Sequence, residues 1–225
     1  VFPIAGYYRG SETRPRVSQV PVEDSDLLAL MRLIASGDTA AALEGLTRSA
    51  GLATKHMTTG ASRQGPDGYY LDTIGRYVYA GHTALHVAAA AYLDEIVRAL
   101  IAAGADVRAR NRRGTEPLHE AAVGGPGSHH WNPGAQSAAI RSLMGAGADA
   151  NATDKDGATP LHRAARTRCA EAVSTLLEVG ADPHIKNKGG STALRLAKVT
   201  SGRGGTGSTA AKDQQAEILG LLQRA

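Results

Sequence analysis

Thr159-Pro160-Leu161-His162 decides the fold, because the same frame returns three more times. It stands at Thr83-Ala84-Leu85-His86, at Glu116-Pro117-Leu118-His119 and, with arginine in the last place, at Thr192-Ala193-Leu194-Arg195. Successive leucines of the frame are 33, 43 and 33 residues apart, and Gly-Ala-Asp triplets at 104–106, 147–149 and 180–182 keep the same register. The period is therefore 33, with ten extra residues in one unit. A chain that repeats at this period stacks supersecondary units, each covering the apolar face of its neighbour. Within a unit the chemistry is helix-turn-helix. Threonine caps a first helix whose opening turn tolerates proline. Paired alanines let helices approach closely, and glycine in the left-handed region ends the second helix.

A 33-residue unit with this frame, an Ala-Ala pair and a Gly-Ala-Asp ending resembles the ankyrin repeat family, closely over residues 81–195 and less well at the two ends. The resemblance implies an all-α ankyrin-repeat solenoid of about five helix-turn-helix units with hairpin fingers. It also implies that His86, His119 and His162 hydrogen-bond across the hairpin to the next unit, a structural role that accounts for their recurrence better than acid-base chemistry does. The expected layout is an extended arm over 1–24 and a single domain over 25–225. That domain holds an N-terminal cap (25–50), a long finger (51–80), repeats at 81–113, 114–156 and 157–190, and a C-terminal cap (191–225). Apolar residues at helical spacing place the cap helices at Ser25–Ser36, Thr39–Ser49, Ala193–Val199 and Gln214–Gln223.

Composition narrows the classes. The 225 residues are 42% hydrophobic, but mostly Ala, Leu and Val, with one Phe (Phe2) and one Trp (Trp131), which suits closely packed helical layers. Basic residues exceed acidic ones by only 4, too little to argue for nucleic acid, and the basic side chains are scattered rather than interleaved with stacking aromatics. A lone Cys169 excludes an internal disulfide and paired-cysteine zinc sites. No run of about 18 apolar residues spans a membrane. The missing initiator Met and the lack of a complete signal peptide indicate a trimmed chain, with the cytoplasm as the default location and export left open.

Three insertions depart from the repeat. Gly51–Ala80 carries Tyr69, Tyr70, Tyr77 and Tyr79, four of the seven tyrosines, and reads either as a local mini-core or as a recognition surface. Gly124–Ala135 interrupts a helix pair with Gly, Pro, His129, His130 and Trp131; adjacent histidines without a nearby carboxylate or thiol make a poor metal site, and Trp131 is expected to fold back over the helix ends. Ser201–Lys212 is Gly-rich but lacks the strand and Gly-Lys-Ser/Thr ending of a phosphate loop, so it reads as a flexible linker. Cys169, between Arg166 and Arg168 with no assignable partner, reads as a small apolar filler.

The family's binding geometry uses finger tips and late first-helix positions, and projecting it here gives a groove that is basic in the middle beside a tyrosine-rich wall. Candidate contact residues are Tyr69, Tyr70, Tyr77, Tyr79, His82, Arg112, Arg113, Lys155, Arg166, Lys188 and Trp131. The expected partner is another protein, through an acidic or phosphorylated segment. No catalytic residue, metal ligand or cofactor is assigned. Two other readings stay open: a small-molecule or enzymatic site built on His82, Arg166 and Tyr79, and self-assembly through Ile218, Leu219, Leu221 and Leu222.

Overall fold

The computed structural model describes residues 20–62, 68–128, 131–199 and 209–225. Among the described residues ten α-helices fall into five antiparallel pairs: α1 Val22–Ser36 with α2 Thr39–Arg48, α3 Ala84–Ala90 with α4 Asp94–Ala102, α5 Pro117–Ala121 with α6 Pro133–Gly145, α7 Pro160–Thr167 with α8 Ala170–Glu178, and α9 Ala193–Lys198 with α10 Thr209–Arg224. First helices pack in one layer, α1 on α3, α3 on α5, α5 on α7 and α7 on α9. Second helices pack in the other, in the order α2, α4, α6, α8, α10. This is an all-α solenoid of five helix-turn-helix units.

The recurrent residues each do one job in the stack. Leu85, Leu118 and Leu161 are fully buried, as are Ala88-Ala89, Ala121-Ala122 and Ala164-Ala165, whose single methyl groups set the short distance between first helices. Leu100, Leu143, Leu176 and Leu222 fill the layer between inner and outer helices, each worth about 2 kcal/mol in buried apolar surface. Thr83 and Thr159 cap α3 and α7 through their hydroxyls.

The histidine of each frame then joins two units. The backbone N–H of Thr83, Glu116 and Thr159 donates to Nδ1 of His86, His119 and His162, at 3.2 Å in each case. With Nδ1 accepting, Nε2 carries the proton and donates to the next hairpin: Thr115 O at 3.0 Å, Ala158 O at 3.1 Å and Ser191 O at 2.9 Å. Burial pushes all three imidazoles below their ordinary pKa, His119 to about 4, so the neutral ring that this geometry needs is the one present. In the fourth frame Thr192 still caps its helix, and an exposed Arg195 stands where the other three frames carry the linking histidine.

Neighbouring hairpins are also tied by backbone. Arg112 N–H donates to Ala80 O, Lys155 N–H to Arg113 O and Lys188 N–H to Asp156 O, at 2.8 to 3.0 Å. Gly157, at φ +71°, permits one such approach, since a Cβ there would sit 3.0 Å from Lys188 N. Asn111, Asp154 and Asn187 brace each hairpin from within by accepting backbone N–H groups of residues two or four further on.

The observed ends differ slightly from the sequence reading. Helix α1 begins at Val22 rather than Ser25, because Glu23 and Asp24 suit a first turn, and it claims three residues of the expected arm. Helix α10 begins at Thr209, inside the stretch read as linker, because Thr-Ala-Ala-Lys carries no helix breaker. Residues 1–19 of the arm, His129 and His130, and 201–208 of the third insertion lie outside the described residues. Trp131 does fold back: its Nε1–H donates to Gln136 Oε1 at 2.9 Å, and Gln136 donates to Ala121 O at 2.8 Å. A Cβ on Gly124 would collide with both Trp131 and Cys169. Cys169 is buried and its thiol is pushed up to about 11 by that burial, in keeping with a filler.

Candidate functional site

The enlarged finger is anchored to the first helix mainly through Asp24, with Glu23 accepting from the Thr58 hydroxyl and Arg32 donating to Gly68 O. Asp24 accepts from the backbone N–H of Thr58 and Thr59, both at 2.9 Å, and from their hydroxyls at 3.0 and 2.8 Å. These bonds hold its carboxyl below the ordinary range although burial works the other way. The Thr59 hydroxyl also lies 2.9 Å from the Tyr69 hydroxyl, and Tyr69 is buried with Met57, Ala61, Leu71 and Val78. Thus the base of the finger is a mini-core.

Its outer half is a two-stranded antiparallel ribbon, β1 Tyr70–Leu71 and β2 Arg76–Tyr77, turned by a short 3-10 segment at Asp72–Ile74. Alternation along the ribbon sends Leu71 and Val78 inward, and Tyr70 and Tyr77 outward as a cross-strand pair with ring centroids 4.7 Å apart, each 41% exposed. Tyr79 continues the row: its ring lies 6.5 Å from that of Tyr77 and carries the guanidinium groups of Arg112 at 4.8 Å and Arg113 at 5.7 Å. Next in line is His82, buried between the Tyr79 N–H, which donates to Nδ1 at 3.0 Å, and the Asn111 amide, 2.6 Å from Nε2. Burial and the nearby His86 lower His82 to about 3, so it is neutral near pH 7 and joins the finger to the second hairpin rather than offering a charge.

Between this wall and the inner helices lies a cleft of about 340 Å³. Its floor follows a simple register. Val87, Glu120, Arg163 and Leu196, the residue after each frame, line it together with Ala90, Val123 and Arg166 one helical turn later. Arg76 enters from the finger, and Arg113, Asp154 and Asp156 from the hairpins. Arg163 is paired with Asp154 at 2.7 Å. Glu120 accepts from the Thr115 hydroxyl at 3.1 Å. Burial alone would raise Glu120, but His82, Arg163 and Arg76 outweigh it and hold the carboxyl at about 2. Since His82 is itself neutral above about pH 3, the two arginines are what keep Glu120 charged near neutrality. Arg166 is drawn below its usual pKa by burial and by the charges of Arg163 and Arg113, against the opposing pull of Asp154.

Of the residues chosen from sequence, Tyr77, Tyr79, His82, Arg113 and Arg166 line one cleft. Arg112, Lys155 and Lys188 stand exposed at the finger tips. Tyr70 stacks on Tyr77 beside the cleft, Tyr69 is in the mini-core, and Trp131 borders a second hollow of about 390 Å³ on the far side of the finger tip, with Ile34, Ile74, Ala91 and Tyr92. Among the described residues, none of Arg112, Arg113, Lys155, Arg166 and Lys188 makes an ion pair. Sequence reasoning missed Arg76, Glu120, Arg163 and Asp154. The position after each frame was available as a signal for Glu120 and Arg163, whereas Arg76 depends on the path of the finger.

Among the described residues no three His, Cys, Asp or Glu side chains stand close enough to hold a metal ion, and no helix is long and apolar enough to cross a membrane. No curated protein matches the chain. Residues 80–112 match the family "Ankyrin repeat", and residues 145–197 match "Ankyrin repeats (many copies)".

Proposed function

The chain is an ankyrin-repeat protein, and from that premise we propose that it is a binding scaffold whose groove grips an acidic or phosphorylated segment of a partner protein. Ankyrin repeats are protein-protein interaction modules, and the finer reading rests on one observation: five basic side chains along the groove and its rim, Arg112, Arg113, Lys155, Arg166 and Lys188, lack an acidic partner among the described residues, while other arginines of the chain are paired. Cations left without a partner along a concave face suit a ligand that brings the anions, and the exposed Tyr70–Tyr77 pair offers rigid apolar contact area beside them. Self-assembly through the last helix has less behind it, because α10 turns Ile218 and Leu222 into the stack and leaves Leu219 and Leu221 only partly open.

The test is an array of acidic, phosphorylated and neutral peptides probed with the wild-type chain and with a variant carrying Arg113→Glu, Arg166→Glu and Lys188→Glu. Retention of anionic peptides by the wild type, weakened by added salt and abolished in the variant, supports the reading. Equal retention by both proteins removes the groove from consideration.

A further inference from the structure

Resting on this groove reading, we propose that the anion it takes is a phosphoryl group, seated between Arg113 and Arg166 against the Tyr77–Tyr79 wall. Arginine pairing favours it. Four guanidinium groups line the cleft, Arg76 from the finger, Arg113 from the repeat at 81–113, and Arg163 and Arg166 from the repeat at 157–190, and the ion pair to Asp154 engages only Arg163. Arg113 and Arg166, both exposed along the cleft, therefore line it without an ion pair among the described residues, and the charge of Arg113 works against that of Arg166. A carboxylate of charge −1 relieves one of them. A phosphoryl group, with a charge of about −1.5 to −2 near pH 7 and three acceptor oxygens, relieves both, and the planar fork of arginine matches its geometry.

The carboxylates already in the cleft point the same way. Glu120, Asp154 and Asp156 line it alongside the arginines. An extended polyacidic stretch laid along the groove meets each of them in turn, and every such meeting is repulsive. A compact dianion concentrated at one point sits beside the two free arginines and avoids that series of like charges. The rest of the cleft suits the carrier of the group: Val87, Ala90 and Val123 form an apolar floor and Tyr77 and Tyr79 an aromatic side, so a phosphorylated side chain has somewhere to lay its carbon atoms.

The same chemistry can arrive on a phosphorylated protein segment or on a small phosphorylated molecule, and calorimetry on the full chain separates them. The probes are degenerate heptapeptides centred on phosphoserine, phosphothreonine or phosphotyrosine, their glutamate-centred and unmodified counterparts, and free phosphoserine, phenyl phosphate and inorganic phosphate. The expected result is binding of at least one phosphorylated set, at least tenfold weaker binding of the glutamate-centred set, and at least a tenfold loss in Arg113→Lys and Arg166→Lys, which keep the charge and remove the fork. Arg98→Gln, on the outer helix α4 and paired with Asp94, is the control and leaves binding unchanged. Equal binding of glutamate and phosphorylated peptides overturns the phosphoryl assignment and leaves the acidic-segment groove standing. Free phosphorylated compounds that bind as tightly as the peptides uphold the phosphoryl site and overturn the protein-segment reading. Absence of any binding by anionic probes overturns both.

Discussion

Three histidines in the repeats and four tyrosines in the finger recur in the sequence with equal insistence, yet the structure treats them in opposite ways. His86, His119 and His162 meet the same fate: Nδ1 accepts from the frame's own backbone and Nε2–H reaches the next hairpin. Tyr69, Tyr70, Tyr77 and Tyr79 meet different fates, one buried in a mini-core, two exposed as a stacked pair, and one under a pair of guanidinium groups. Recurrence at the structural period signals a part of the scaffold. Recurrence off the period leaves each copy to its own surroundings, and there the surface for binding arises.

The largest expected effect is on the repeats and comes from acid. His82, His86, His119 and His162 all have folded pKa values below the ordinary 6.5 because they are buried as neutral rings, His82 at about 3 and His119 at about 4. Their contribution is complete above pH 6.5 and is lost as the pH falls from there toward the folded values, since the unfolded chain takes up the protons first. At pH 5 His82 and His119, with folded values of about 3 and 4, each cost up to about 2 kcal/mol. The finger's clamp behaves otherwise: Asp24 is lowered, so its contribution persists through that window and declines only below the ordinary carboxylate range. Urea unfolding at pH 7, 6 and 5 is expected to show several kcal/mol of lost stability, with hydrogen exchange rising in the hairpins after Thr115, Ala158 and Ser191. A flat response between pH 7 and 5 contradicts the assignment of these rings as buried neutral donors.

Next in size is the converse change, which breaks the finger and spares the far repeats. Asp24→Ala removes the acceptor for four donors of Thr58 and Thr59, and losing these bonds to a charged group is expected to cost about 3 kcal/mol. Exchange protection should fall at Met57, Ala61 and Val78, whose amide or carbonyl groups join the finger to its base, while Leu161 to Ala165 stay protected. If protection falls uniformly along the chain, the finger is not a separable unit.

How much of this was readable from sequence follows the same division. The frame, the Ala-Ala pairs and the Gly-Ala-Asp ends gave unit length and helix order, because each residue type repeats where the backbone demands it, and the family resemblance they carry implied the histidine bonds. The groove was half readable. Projection along the first helices reached Arg166, but Val87, Glu120, Arg163 and Leu196 share only a position and no chemistry, so no pattern of residue types marks them. The finger was least readable. Strands of two residues carry almost no periodic signal, and the inward turn of Tyr69 depends on an aspartate 45 residues earlier and two threonines between.

A smaller effect separates linking frames from the terminal one. His162→Leu removes the bonds to Thr159 and Ser191 and leaves a backbone donor and acceptor unsatisfied, at about 2 kcal/mol. Arg195→Ala, at the matching position of the last frame, touches an exposed side chain and is expected to stay within about 0.5 kcal/mol of the wild type. Thermal unfolding of the two variants side by side checks the difference. Equal losses mean that the last frame is held by something other than its threonine cap.

A modest stability change belongs to the residues expected to matter most for binding. Tyr70 and Tyr77 form a half-exposed pair whose stacking contributes about 0.5–1.5 kcal/mol, so Tyr70→Ser with Tyr77→Ser should lower stability by no more than about 1.5 kcal/mol. If the pair lies in the interface with a partner, removing two rigid aromatic anchors weakens binding at least tenfold, which is about 1.4 kcal/mol. Tyr69→Phe supplies the contrast: it keeps the buried ring and deletes only the hydroxyl beside Thr59, and it should cost about 1 kcal/mol of stability while leaving binding intact. The two variants thus pull stability and affinity apart within one loop. Affinity that tracks stability in both would make the whole finger scaffold, and the groove's recognition would then rest on Arg113 and Arg166 without help from the exposed tyrosine pair.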